Sequence, residues 1–161
     1  MISITREIKA TDFTEGEKDL IRLISRGILN SKNLARQRQV SPNSIEQSLV
    51  IIRGKMRSKN RLELAFSLCE SNLLEKLSEE EKQFYQKLEW SAKEIEIIKL
   101  LLKLNVNFDY EISSQKLKIS PSTLKKHLKG IRSKLHCSNL GELVIKIYQA
   151  SLIKSLNLEE V

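Results

Sequence analysis

Val40-Ser41-Pro42-Asn43-Ser44-Ile45 and Ile119-Ser120-Pro121-Ser122-Thr123-Leu124 are the two stretches on which the reading of this chain turns. Each runs aliphatic, serine, proline, polar, hydroxyl, aliphatic, and the two lie 79 residues apart. A serine hydroxyl can accept from the free amides at a helix start, and proline at the first helical position gives up no hydrogen bond. Both stretches therefore read as helix starts. The chain has only 2 prolines, and both stand at this one kind of position.

Working outward, the similarity extends. Downstream, Ile45, Leu49, Ile52 and Met56 fall at helical spacing, as do Leu124, Leu128, Ile131 and Leu135. Each set is followed by Asn-x-x-Glu, at Asn60 to Glu63 and Asn139 to Glu142, and then by a further apolar helix. Upstream, Phe13-Thr14-x-x-Glu17 matches Trp90-Ser91-x-x-Glu94. A hydroxyl with Glu three residues on is a capping box, in which two orphan amides are satisfied reciprocally. The spacing predicts an all-α chain of two four-helix units. The first has helices near 14–26, 31–38, 42–57 and 60–72, and the second near 91–104, 111–117, 121–136 and 139–155. The units span 1–72 and 90–161. The acidic segment 73–89 between them reads as a linker helix, with Phe84, Tyr85 and Leu88 to dock it.

Composition narrows the function. Hydrophobic residues make up 40% of the chain, enough for a core, and the formal net charge is +8. By segment the net charge is +6 over residues 1–69, −3 over 70–89 and +5 over 90–161. Two basic blocks flanking an acidic one favour a polyanionic partner. No window reaches the ~18 apolar residues of a membrane-spanning helix, and the first residues carry no apolar run of export-signal length. A cytoplasmic protein, associated with the nucleoid, is expected. Cys69 and Cys137 are isolated, so neither a disulfide framework nor a zinc site is expected. Phosphate-loop, nucleophile-elbow and metalloprotease motifs are absent, and His127 and His136 lack matching partners. Glu79 to Glu81 and Glu159-Glu160 read as solvated surface. No catalysis and no cofactor are expected.

Taken together, these residues resemble the LuxR-type (GerE-type) helix-turn-helix domain of bacterial transcription regulators. The first unit carries the resemblance on Phe13, Thr14, Glu17, Gly27, Asn30, Ala35, Ser41, Ile45, Ile52, Lys55, Asn60, Arg61 and Glu63. The second carries it on Trp90, Ser91, Glu94, Ser120, Thr123, Leu124, Lys125, His127, Ile131, Lys134, Leu135, Asn139 and Glu142. Departures are Arg38 at a usual leucine, Glu46 and Ser48 at a usual lysine and histidine, and Ser113 and Ser114 at an Ile-Ala pair. Leu140 also stands at a usual arginine, and the connection from Leu104 to Tyr110 is longer. The family's receiver or ligand-sensing domain is read as having no room before Phe13.

The resemblance implies a sequence-specific double-stranded DNA-binding regulator with recognition helices near 42–57 and 121–136. Such a helix lies in the major groove, with the preceding helix bracing the backbone. It implies base contacts from Lys125, Lys126 and Lys129, and phosphate contacts from Thr123, His127, Arg132 and Lys134. In the first unit the corresponding base-reading positions are Asn43, Glu46 and Gln47, with Ser44, Arg53, Lys55 and Arg57 on phosphates. That set is mixed and partly acidic, so the first unit reads either as a specific reader or as a degenerate copy that positions the protein. Two arrangements of the last helices stay open: a homodimer through Leu143 to Ile153, or pairing of the two units within one chain. A second function class also stays open, in which the same folds hold RNA polymerase or another regulator. Single-stranded RNA is disfavoured, because aromatic residues make up only 5% of the chain and stacking platforms are lacking.

Overall fold

The serine-proline stretches do start helices. Ser41 Oγ accepts from the Ser44 amide at 3.1 Å and Ser120 Oγ from the Thr123 amide at 3.1 Å, with proline in the first turn each time. Thr14–Glu17 and Ser91–Glu94 form reciprocal capping boxes. Asn30, Asn60, Asp109 and Asn139 cap four further helices through their side-chain oxygens. These are the partners that free N-terminal amides require.

The computed structural model describes residues 8–158. The readings made of the first seven residues and of Glu159-Glu160 lie outside them. The described residues are helical, with no strand. In chain order the helices are α1 (Glu15–Ser25), α2 (Ser31–Arg38), α3 (Pro42–Met56), α4 (Arg61–Glu70) and α5 (Glu79–Gln86). They continue with α6 (Ala92–Leu104), α7 (Tyr110–Leu117), α8 (Pro121–Lys134), α9 (Leu140–Gln149) and α10 (Leu152–Ser155). Among the described residues no helix is long and apolar enough to cross a membrane.

The backbone repeats as the side chains do. Left-handed residues end helices at Gln39 and Lys118, at Arg57 and His136, and at Asn72 and Ser151, each pair 79 residues apart. Ser151 breaks the single helix expected over 139–155 into α9 and α10, and no glycine or proline there announces the break. The longer connection after α6 is a 3-10 turn, Asn105–Asn107, entered through Asn105 at φ 54°. With ψ at −125° this residue lies outside the left-handed helical region that asparagine tolerates.

Burial follows the repeat: Ile45, Leu49, Ile52 and Met56 of α3 are buried, and so are Leu124, Leu128, Ile131 and, just past α8, Leu135. The two halves then meet. α4 packs along α9, α4 also reaches the 3-10 turn that follows α6, and α10 packs on α9 and α5. At the other end of the seam, Gln149 Nε2 donates to Ser25 O at 2.6 Å, where α1 ends, and to Glu75 O at 2.9 Å. Each last helix thus touches the segment after the other half's first helix, the exchange expected of an isologous pairing. Phe66 meets Tyr148 edge-on at 6.5 Å and 88°. Leu143, Val144, Ile145 and Ile147 are fully buried within this one chain. α5 is seated by Tyr85 and Leu88 and by Gln86 Nε2, which donates to Ala150 O at 3.0 Å. Phe84, expected to help, instead faces outward at 55% exposure.

Gly141 lets the two halves approach closely. A Cβ there would stand 2.5 Å from Leu29 Cδ2, and Leu29 is fully buried with nowhere to move. Gly141→Ala is expected to cost about 1–2 kcal/mol by overpacking, lowering the melting temperature by about 2–8 °C. Gly54→Ala, whose Cβ would meet nothing within 4 Å, should leave it unchanged or raise it slightly. Thermal melts followed by circular dichroism distinguish the two.

Candidate nucleic-acid interface

Three residues separate the two helices of each central pair: Gln39–Ser41 between α2 and α3, and Lys118–Ser120 between α7 and α8. The turns are alike, with Val40 N–H donating to Ala35 O at 3.0 Å and Ile119 N–H to Ser114 O at 3.1 Å. Leu124, Leu128 and Ile131 turn one side of α8 into the core, which leaves Lys125, Lys126 and Lys129 exposed on the other. These lysines, together with Arg132 and Tyr110 at the start of α7, line an open depression of about 290 Å³. Lys125 Nζ lies 5.4 Å from the Tyr110 ring centroid, within reach of its π face. Arg132 is half-buried and steadied by Nη1, which donates to Ser138 O at 2.9 Å. None of the four cations pairs with a carboxylate among the described residues. Thr123 and His127 are half-buried beside this face. The Thr123 hydroxyl is engaged at 2.8 Å with the capping Ser120.

Lys134 and Lys55 go elsewhere. Lys134 Nζ donates to Glu94 Oε1 at 2.7 Å and to Glu89 O at 2.8 Å, and lies 5.1 Å from the Trp90 ring centroid. Lys55 Nζ donates to Glu17 Oε1 at 2.5 Å and Oε2 at 2.9 Å, 5.6 Å from the Phe13 ring centroid. Both were read from the sequence as phosphate contacts; in the fold their ammonium groups are paired with the capping-box carboxylates, with 34% and 36% of the Lys55 and Lys134 side chains exposed. Burial alone would raise the two carboxyls. The lysine and capping hydrogen bonds outweigh it, and both titrate below the ordinary value of 4.5.

On α3 the exposed side has another character. Asn43 and Gln47 are exposed and without a partner among the described residues. Glu46 is hydrogen-bonded by Ser31 and Arg61, with the Ser31 hydroxyl the larger influence holding its carboxyl below the usual range. Both bonds fall on Oε1, and the side chain is 48% exposed. Ser44 Oγ lies 3.0 Å from Ser41 Oγ, and Arg53 Nη1 donates to Lys59 O at 3.3 Å. Arg57 is exposed at the left-handed end of the helix. At the 79-residue offset Val50 takes the place of Lys129, Ile51 of Gly130, Gln47 of Lys126 and Glu46 of Lys125. The outward face of α3 thus lacks the lysines of α8.

Sequence reasoning missed Tyr110, which lies in the connection noted only for its extra length. It also missed the pairing of Lys55 and Lys134 with the capping-box carboxylates. A usable signal existed for the latter. In both halves an aromatic, a capping-box Glu and a helix-terminal Lys recur together, the signature of a conserved contact between two elements of one unit. Burial pushes the Cys69 and Cys137 thiols up to about 12, so neither supplies a thiolate at neutral pH. No group of three or more metal-ligating side chains occurs among the described residues. A scan against protein-family models, a search of the curated proteins and a search of the solved structures each return no match.

Because Glu17 and Glu94 are ionised more easily in the fold than in the open chain, their contribution is full above pH 4.5 and is lost as the pH falls through their lowered values. Denaturant unfolding between pH 6 and pH 3 should therefore show stability falling below about pH 4.5. The Glu17→Gln/Glu94→Gln double variant should show a shallower fall, and an identical slope would exclude these pairs as its source. Lys134→Ala strands a carboxylate that is only 8% exposed. Allowing for the partly solvated ammonium, it should cost about 1–3 kcal/mol, whereas Lys129→Ala should cost less than about 0.5 kcal/mol.

Proposed function

We propose that this chain is a double-stranded DNA-binding transcription regulator built from two helix-turn-helix units, with α8 as the helix that enters the major groove. The observation that carries the reading is the set of three exposed lysines on α8, unneutralised among the described residues, with Arg132 and Tyr110 beside them. An α-helix fits the major groove, and lysine side chains reach the guanine acceptors there. In this reading Lys125, Lys126 and Lys129 face base edges, while Arg132, Thr123 and His127 lie near phosphates. The sequence resemblance to LuxR-type regulators supports the same assignment.

Regulators of that type usually meet inverted half-sites as dimers through the last helix. Here the packing of α4 on α9, with the run from Leu143 to Ile147 buried within one chain, supports the pairing of the two units over a homodimer through the last helix. One chain then presents a lysine-rich face on α8 and a face on α3 that has no lysine and carries Glu46 paired with Arg61, which suits one base-read half-site beside a segment held only by its backbone. Arg57 and Arg53 at the end of α3 would supply the backbone contacts. The second reading, an adaptor that holds RNA polymerase or another regulator, is favoured by the lysine-free α3 face alone.

Selection of bound duplexes from a random pool, followed by titration across salt, tests the proposal. One conserved half-site is expected, with affinity falling steeply as salt rises, about 0.9 in log–log slope for each phosphate neutralised. Lys125→Ala or Lys129→Ala should weaken the selected site by about 1–3 kcal/mol and relax the preference at one position. Arg57→Ala should weaken all sequences alike and reduce the slope by about 1. Absence of any duplex affinity at about 50 mM salt, where such contacts are strongest, would refute the reading.

A further inference from the structure

α3 carries on its surface something its counterpart does not. Val50 and Ile51 are 55% and 54% exposed, and they flank Gly54, over which a Cβ would meet nothing within 4 Å. On a helical wheel, Val50, Ile51 and Gly54 point directly away from the buried stripe of Ile45, Leu49 and Ile52. The equivalent positions of α8 are Lys129, Gly130 and Ser133. Two aliphatic side chains over a bare glycine make a shallow, uncharged seat into which a helix with one large apolar side chain can settle. At one rim stands Arg57, exposed and unpaired among the described residues, with Arg53 one turn before it.

The same chain carries the complement. α5 has Phe84 55% exposed, although its neighbours Tyr85 and Leu88 pack inward. Glu80 and Glu81 lie one turn earlier on the same side of the helix; Glu81 Oε2 accepts from the Ser78 amide at 3.0 Å in the capping box of α5, and neither carboxylate pairs with a cation among the described residues. An exposed phenylalanine beside two carboxylates that no cation neutralises among the described residues is matched in size and in charge to two aliphatics, a glycine gap and an arginine rim. Among the described residues α5 and α3 do not pack extensively on each other within one chain.

We propose that α3 is a self-association surface whose occupant is α5 of a second copy. Phe84 seats between Val50 and Ile51 over Gly54, and Glu80 and Glu81 face Arg57 and Arg53. The contact is head-to-tail, since the two surfaces are different patches of one molecule. It is small, one helix against another, so association is weak in solution and strengthens where copies are concentrated side by side. It requires nothing of α8 and so can be tested without nucleic acid, but it draws on Arg53 and Arg57, which the DNA reading places on phosphates, so on those two residues the contact and a duplex compete.

Sedimentation velocity of the full chain without nucleic acid, at low salt and across roughly 10–300 µM, the range suited to an interface below ~1,200 Å², tests it. The wild type should show a sedimentation coefficient that rises with concentration and falls back when salt is added. Val50→Asp and Phe84→Asp, both at exposed positions and checked for unchanged melting, should each remain monomeric. Mixed together, they should form a 1:1 complex, because the first retains an intact α5 and the second an intact α3. A wild type that stays monomeric throughout, a Phe84→Asp variant that still associates, or a mixture that forms no complex would each overturn the proposal. Duplex binding by the Val50→Asp variant, measured alongside, tells this failure from a failure of the DNA reading.

Discussion

α4 lies against α9, and most of what this molecule is depends on that contact. Each half offers four short helices, too little apolar surface for a chain segment of this size to be more than marginally stable alone. The fully buried residues Leu64, Ala65 and Leu68 on one side, and Leu143, Val144, Ile145 and Ile147 on the other, are shielded because the last helices pack together. Gly141 lets the backbone of α9 approach Leu29 and Ala65 where any side chain would intrude. Gln149 then ties the end of α9 to Ser25 and Glu75 through two carbonyls. The orientation of α3 relative to α8 follows from this seam.

Within that frame, lysines of identical chemistry have opposite uses. Lys55 and Lys134 sit at the ends of α3 and α8, pressed over an aromatic ring and bonded to the carboxylate that caps the first helix of the same half. They bind α1 to α3 and α6 to α8. Lys125, Lys126 and Lys129 stand on the opposite side of α8, where no carboxylate among the described residues meets them. The same helix is a structural element along one edge and a cationic surface along the other. α3 shares the first role and not the second. Its interior side matches α8 residue for residue, while its outer side exchanges lysine for valine and glutamine.

Much of the fold was legible in advance because its signals are local. Ser41-Pro42 and Ser120-Pro121 act on the amides of their own helices, and Thr14–Glu17 and Ser91–Glu94 act across a single turn. The buried face of α8, and with it the exposure of Lys125, Lys126 and Lys129, follows from helical periodicity alone. What was not legible depends on distant partners. Lys134 meets Glu94 from 40 residues away, and Glu46 meets Arg61 across 15. Neither partnership can be told from a free surface charge by spacing along one helix. Tyr110 became part of the α8 face only when the turn between α7 and α8 brought it under Lys125. Ser151 broke the last helix with no residue that demands a break.

By itself, then, the sequence determined an all-helical chain repeated once, the starts of most of its helices, and which side of each central helix is apolar. These depend on hydrogen bonds within a turn and on a 3.6-residue period, which are settled before any two helices meet. The tertiary structure decided which charges remain outside and how the halves are joined. An ion pair or a helix seam depends on the close approach of residues far apart in the chain, and only the folded arrangement brings them there.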